Sequence, residues 1–292
     1  MDALRSESGR RVRAGGLPRG VGLTALCTAR ERGAENRRPD RLFEDRVAQV
    51  LTEAVDAPPC TTSPDGRLLG DGACLRDFVA LRTRFFDDEL RSASARCRQV
   101  VLLGSGLDAR AFRLDWARDT VVYEVDHSDV LRFKHGIVAR AGQRPRCTRV
   151  EVGADLRGDW SGALRAAGFH PWRPAVWCAE ELLPYLSSTE NDRVLSAITA
   201  MSPAGSHLVA DHFDRALQRS AHFSVLTEVR CAVGAAWRST LEVPDRWLAP
   251  QGWTCGLTNP TELADRSGRR LPELFPRHAE GQGHLWLMSA DR

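Results

Sequence analysis

Two glycines and one acid, spaced about 20 residues apart, carry the strongest chemical signal in this chain. Residues 99–126 read QVVLLGSGLDARAFRLDWARDTVVYEVD. The apolar run Val100, Val101, Leu102, Leu103 leads into Gly104-Ser105-Gly106, and a second run, Val121 to Val125, ends on Asp126. Continuous apolar runs of this length are the mark of strands buried on both faces. Glycine lets a backbone approach a ligand where a Cβ would clash. An acid closing the next strand stands where the two hydroxyls of an adenosine ribose are read. The pattern predicts a nucleoside-containing cofactor at the carboxyl edge of a parallel sheet.

Two cofactors compete for that loop. Gly104-Ser105-Gly106-Leu107-Asp108-Ala109 satisfies the dinucleotide form G-x-G-x-x-A. Asp108, however, falls where a pyrophosphate would meet backbone N–H groups, and it would repel that anion. S-adenosyl-L-methionine has no phosphate, and its ammonium and sulfonium favour a nearby carboxylate. The charge inside the loop therefore selects the methyl donor. An NAD-dependent oxidoreductase would require Asp108 to face away. Two other readings are a cofactor-binding scaffold without catalysis and a Gly-rich turn without any ligand.

The elements that must position these residues follow from hydrophobic periodicity. Strands are expected at 100–103, 121–125, 148–152, 175–179, 207–210, 252–258 and 284–289. Helical spacing marks 42–55, 75–90, 129–141 (with Ser128 as N-cap), 159–168 and 189–201. Strands alternating with helices give an α/β fold. The expected fold is of the class I methyltransferase type: Rossmann-like and doubly wound, with a mostly parallel seven-stranded sheet, helices on both faces and an N-terminal helical cap. Residues 1–20 are expected to form a disordered arm. Residues 21–292 are expected to form one domain, with the cap over 21–98 and the core over 99–292.

Composition narrows the partners. Of 292 residues, 42% are hydrophobic and 27% charged, as in an ordinary soluble chain. The net charge of +3 is concentrated in residues 1–40, which hold nine arginines and five acids. The remainder is nearly neutral, which argues against nucleic acid as a partner. No apolar run approaches the length of a membrane span. Eight cysteines occur without a C-x-x-C pair, which suits reduced thiols in a cytoplasmic protein and disfavours zinc. His207, Asp211 and His212 offer too few ligands for a metal, and none is expected.

With these residues placed, six ordered motifs carry a family resemblance. They are ALRTRFFDD (80–88), VVLLGSGLDAR (100–110), VVYEVD (121–126), ADLR (154–157), AEELLPYL (179–186) and ELADRSGRRLP (262–272). The chain resembles the leucine carboxyl methyltransferase superfamily, above all its bacterial branch of S-adenosyl-L-methionine-dependent methyltransferases, over roughly residues 20–290. The resemblance implies donor binding by Arg82, Gly104, Gly106, Asp126, Asp155, Leu156 and Glu180, with Arg82 on the donor's carboxylate and Asp155-Leu156 beside the adenine. It also implies that Arg157 pairs with the acceptor and that Tyr185 faces the transfer site. The long substrate-recognition insertions of the eukaryotic members are not evident.

Each residue also has a plainer reading. Asp126 could stabilise a helix N-terminus, Asp155 could shape a turn, Arg82 and Arg157 could be solvated arginines, and Tyr185 could be a core aromatic. The function expected is O-methylation of a small-molecule acceptor, a metabolite or natural-product intermediate, through its carboxylate. Such an acceptor is already ionised at neutral pH and needs only an orienting cation, Arg157, with a hydrogen bond from Tyr185. A hydroxyl or phenol acceptor would instead need a base, for which His212 is the candidate.

Overall fold

The computed structural model describes residues 12–13, 21–56, 72–220, 223, 226–227, 231, 234–271 and 283–292. Its centre is a seven-stranded sheet of strands β1 (Gln99–Leu103), β2 (Val121–Asp126), β3 (Thr148–Gly153), β4 (Ala175–Ala179), β5 (His207–Phe213), β6 (Thr254–Thr258) and β7 (Leu285–Asp291). Their spatial order is β3-β2-β1-β4-β5-β7-β6. The first five run parallel, and β7 enters antiparallel between β5 and β6. This is the α/β methyltransferase fold expected from the sequence.

Period-two alternation divides the core between the two faces. Val100 and Leu102 of β1 pack with Val176 and Cys178 of β4 on one face, against α2 (Arg46–Glu53), α3 (Gly72–Ser94) and α5 (Ser128–Arg140). Val101 and Leu103 pack with Trp177 and Ala179 on the other, against α6 (Trp160–Ala166) and α7 (Ser188–Ala200). Every residue of β1, β4 and β5 is buried, which explains why their sequences carry no polar alternation.

Local signals set several element starts. Asp45 caps α2 by accepting from Ala48 N at 2.8 Å. Ser187 and Glu190 form a reciprocal capping box at the start of α7. At α5 the expectation is corrected: the capping position is His127, without a side-chain bond, and Ser128 is the first helical residue. The helix α1 (Val21–Glu35) lies within the expected cap, although helical spacing does not mark it. A four-residue helix, α4 (Arg110–Arg113), follows the glycine loop.

The expected arm over 1–20 lies outside the described residues except for Val12–Arg13, which pair in parallel with Val55–Asp56. Cys27 is disulfide-bonded, whereas Cys97, Cys147, Cys178, Cys231 and Cys255 are free. The expected set of uniformly reduced thiols is thus corrected at Cys27.

Candidate active site

The carboxyl ends of β1 and β4 point the same way, and beyond them the strand order reverses, β2 lying on one side and β5 on the other. In an open parallel sheet this switch point leaves a crevice for a ligand. A cavity of about 400 Å³ lies there, walled by the loops after β1 to β4 and roofed by α1. Nine of the ten residues singled out above line it: Arg82, Gly104, Gly106, Asp126, Asp155, Leu156, Arg157, Glu180 and Tyr185.

Gly104 and Gly106 take left-handed backbone, with φ of +62° and +45°. A Cβ at Gly104 would meet Leu182 Cδ1 at 2.9 Å, so that side chain would have to shift, and the left-handed backbone itself is what favours glycine there. Gly106 N donates to Asp126 Oδ2 at 2.6 Å, and His127 N donates to Asp126 Oδ1 at 2.6 Å. The acid is thus pinned to the glycine loop, and burial pushes its pKa up. Asp108 lines the cavity, but its carboxylate pairs with Arg110 Nη1 at 2.5 Å and accepts from Arg110 N at 2.6 Å.

Arg82 is buried and surrounded by acid. It donates through Nε to Glu180 at 3.0 Å and through Nη2 to Glu181 at 2.7 Å, and Asp211 lies 3.6 Å from Nη1. Those two hydrogen bonds use two of its five N–H donors. Burial would lower the arginine's pKa, but Glu181, Glu180 and Asp211 together raise it. Glu180 also takes Arg110 Nη1 at 2.7 Å. Asp211 is pushed up to about 7 by burial and by the charge of Glu180, against the pull of Arg82.

Glu181, which carries no signal of its own beside Glu180 in the sequence, is central. Its backbone is left-handed at φ +50°, a strained conformation for a residue with a side chain. Asp211 Oδ1 accepts from Glu181 N at 2.6 Å, Thr28 Oγ1 donates to its carboxylate at 3.0 Å, and Tyr185 OH lies 3.4 Å away. Thr28 and Arg32 come from α1, whose polar face gives no signal that it roofs a site.

At the mouth, Arg157 folds back on Asp155 through Nε and Nη2, at 2.9 and 2.6 Å, and that contact lowers the acid to about 2. Arg238 also lines the cavity and pairs with Glu190 at 2.7 Å. No spacing in the chain links Arg238 to the other wall residues.

His212 does not line the cavity. It is buried, its Nδ1 accepts from Phe213 N at 2.8 Å, and its Nε2 meets Ser239 Oγ at 3.2 Å. Burial lowers its pKa to about 4. The three residues considered for a metal enter separate networks, His207 with Asp291 and Glu89, Asp211 with Arg82, and His212 with Ser239.

The wall fits S-adenosyl-L-methionine. Six carboxylates line the cavity against four arginines, a surplus suited to an ammonium and a sulfonium. Each oxygen of Asp126 accepts one N–H, and each keeps a lone pair for a ribose hydroxyl.

Comparison with known proteins agrees. Residues 25–199 match the family described as Leucine carboxyl methyltransferase. A protein of Parafrankia sp. (strain EAN1pec), assigned as an S-adenosyl-L-methionine-dependent methyltransferase, is 40% identical over 265 residues, covering 88% of this chain and 84% of its own. One so assigned in Mycolicibacterium smegmatis is 37% identical over 287 residues, covering 92% and 95%. Among solved structures, a DUF574 family protein of Streptomyces avermitilis matches the fold with a TM-score of 0.57 at 14% identity, over 91% of this chain and 97% of its own. A Thermobifida fusca protein matches with a TM-score of 0.53 at 19% identity, over 90% and 94%. The chain belongs to the leucine carboxyl methyltransferase family, and it is an S-adenosyl-L-methionine-dependent methyltransferase.

Proposed function

We propose that this methyltransferase forms a methyl ester on a carboxylate of a small molecule, a metabolite or natural-product intermediate. The observation carrying this reading is the mouth of the cavity. Two half-exposed arginines, Arg157 and Arg238, stand there, while His212 is buried outside the wall and holds its Nδ1 to a backbone N–H.

S-adenosyl-L-methionine, when bound, supplies a methyl group already activated on a sulfonium. The protein's part is to hold, orient and exclude water. In this reading Gly104 and Gly106 let the backbone close on the donor, and Asp126 takes the ribose hydroxyls. Asp155 and Leu156 flank the adenine. Glu180 attracts the ammonium, and Arg82 uses its remaining N–H donors for the donor's carboxylate. Arg157 exchanges Asp155 for the acceptor carboxylate, with Tyr185 contributing a hydrogen bond. An acceptor of pKa near ~4 is ionised at neutral pH, so no proton moves before transfer.

Residues 21–292 act as one catalytic unit in this reading. No helix among the described residues is long and apolar enough to cross a membrane, and we place the reaction in the cytoplasm. The test is chemical: the product is labelled with a radioactive methyl group and treated with mild base. Volatile methanol supports the ester, and a base-stable methyl group overturns it.

A further inference from the structure

A second cavity, of about 520 Å³, lies outside the site described above, between the segment after α1, α3, the end of α4 and the loop before β3. Five arginines line it, Arg46, Arg84, Arg91, Arg113 and Arg146, against two acids, Glu44 and Asp87. The remaining wall is mainly apolar, with the rings of Phe43 and Phe112.

The outer arginines are loosely committed. Arg84 pairs with Asp88 at 2.7 Å, and Arg146 pairs with Asp115 at 2.6 Å, each pair solvent-exposed and each acid outside the wall. Pairs of this kind contribute little and exchange readily for another anion. The inner arginine is different. Arg113 is buried, lies 5.2 Å from the centre of the Phe43 ring, and grips both oxygens of Asp87 at 2.5 and 2.7 Å.

Asp87 leads onward to the donor site. It accepts from Arg110 Nε at 2.7 Å, and Arg110 Nη1 reaches Glu180 at 2.7 Å. Glu180 lines the first cavity. An unbroken chain of charges, Arg113–Asp87–Arg110–Glu180, with the first three buried, therefore joins the two cavities.

We propose that the second cavity binds an organic anion with a flat apolar body and at least two acid groups, and that its occupancy tightens donor binding through this chain. An anion drawing on Arg113 loosens its grip on Asp87. Asp87 then holds Arg110 more strongly, and Glu180 is released toward the donor's ammonium. That direction rests on the assignment of Glu180 made above; the anion site itself does not. Coupling of this kind is reciprocal.

The test uses benzene-1,3,5-tricarboxylate as the probe and S-adenosylhomocysteine as the donor-site ligand, both followed by calorimetry. The tricarboxylate is expected to bind, and Arg84→Ala with Arg146→Ala to weaken it at least tenfold. The double variant's unchanged affinity for S-adenosylhomocysteine alone shows that it is folded. Saturating tricarboxylate is expected to tighten S-adenosylhomocysteine about fivefold in the wild type. No binding, binding indifferent to the double variant, or displacement by S-adenosylhomocysteine overturns the site. Binding that leaves S-adenosylhomocysteine affinity unchanged or lowered overturns the coupling. If S-adenosylhomocysteine alone does not bind, the donor-site reading fails, and the tricarboxylate titration still decides the second cavity.

Discussion

Replacing Asp126 by Asn keeps size and shape but removes the charge, and it isolates what the carboxylate does. Both oxygens already accept a backbone N–H, from Gly106 and from His127, each at 2.6 Å. An amide has one acceptor oxygen, so one of those N–H groups would face an NH2 group. In a partly exposed position this costs about 1 kcal/mol of stability. The donor loses more. A hydrogen bond to a charged acceptor is worth about 1.5–3 kcal/mol, so S-adenosylhomocysteine should bind about 10- to 150-fold more weakly. Burial raises the Asp126 pKa, so wild-type affinity should itself fall as pH drops through that raised value, while the Asn variant stays flat. Calorimetry across pH reads both effects, with a thermal melt to confirm folding. A folded Asp126→Asn protein that binds as tightly as wild type would refute the ribose assignment.

Gly104→Ala should destabilise the protein by more than Gly142→Ala, as thermal melts will read. Both need left-handed backbone, costing about 1 kcal/mol, but only the first drives a Cβ against Leu182. His207 bridges Glu89 and Asp291, and although burial lowers its pKa, those two bonds raise it overall. Its contribution, about 1 kcal/mol, is present below the unfolded pKa near ~6.5 and is lost as pH rises through the folded value; His207→Gln should abolish that slope in melts. Arg157→Ala should raise KM and lower kcat about tenfold or more, with S-adenosylhomocysteine affinity nearly unchanged. Equal acceptor kinetics in the variant would remove Arg157 from the acceptor site.

The parts of the fold legible in the sequence are those whose signal is local. β1, β2 and β4 are short apolar runs closed by a glycine or an acid, and a strand buried on both faces has little other way to read. β7 carries the apolar run Leu285 to Met288, whereas β6 (Thr254–Thr258) is largely exposed and carries little such signal. The helix α1 carries a weak apolar pattern, because the side that roofs the cavity holds Thr24, Thr28 and Arg32. Lys134, the chain's only lysine, reads as a surface residue. It is fully buried, 2.9 Å from Glu124, itself paired with Arg149. Such a partnership joins residues on three elements, and no periodicity announces it.

The site divides in the same way. Gly104, Gly106 and Asp126 were found because a loop and a strand end carry their meaning in sequence order. The charges behind them could not be read so. Arg82 precedes Glu180 and Glu181 by nearly 100 residues, and Asp211 is further still. Only the closed fold brings three acids around one guanidinium. The strain at Glu181, φ +50°, is likewise invisible in a string of letters, yet it aims the peptide N–H at Asp211 and the carboxylate at Arg82. Burial and the charge of Glu180 lift Asp211 to about 7 against the pull of Arg82. Glu180 and Glu181 line the cavity, which favours a cation there over a phosphate. Asp108, Glu180 and Glu181 are each held by an arginine, so the preference for a cation rests on the surplus of acids over arginines in the wall as a whole.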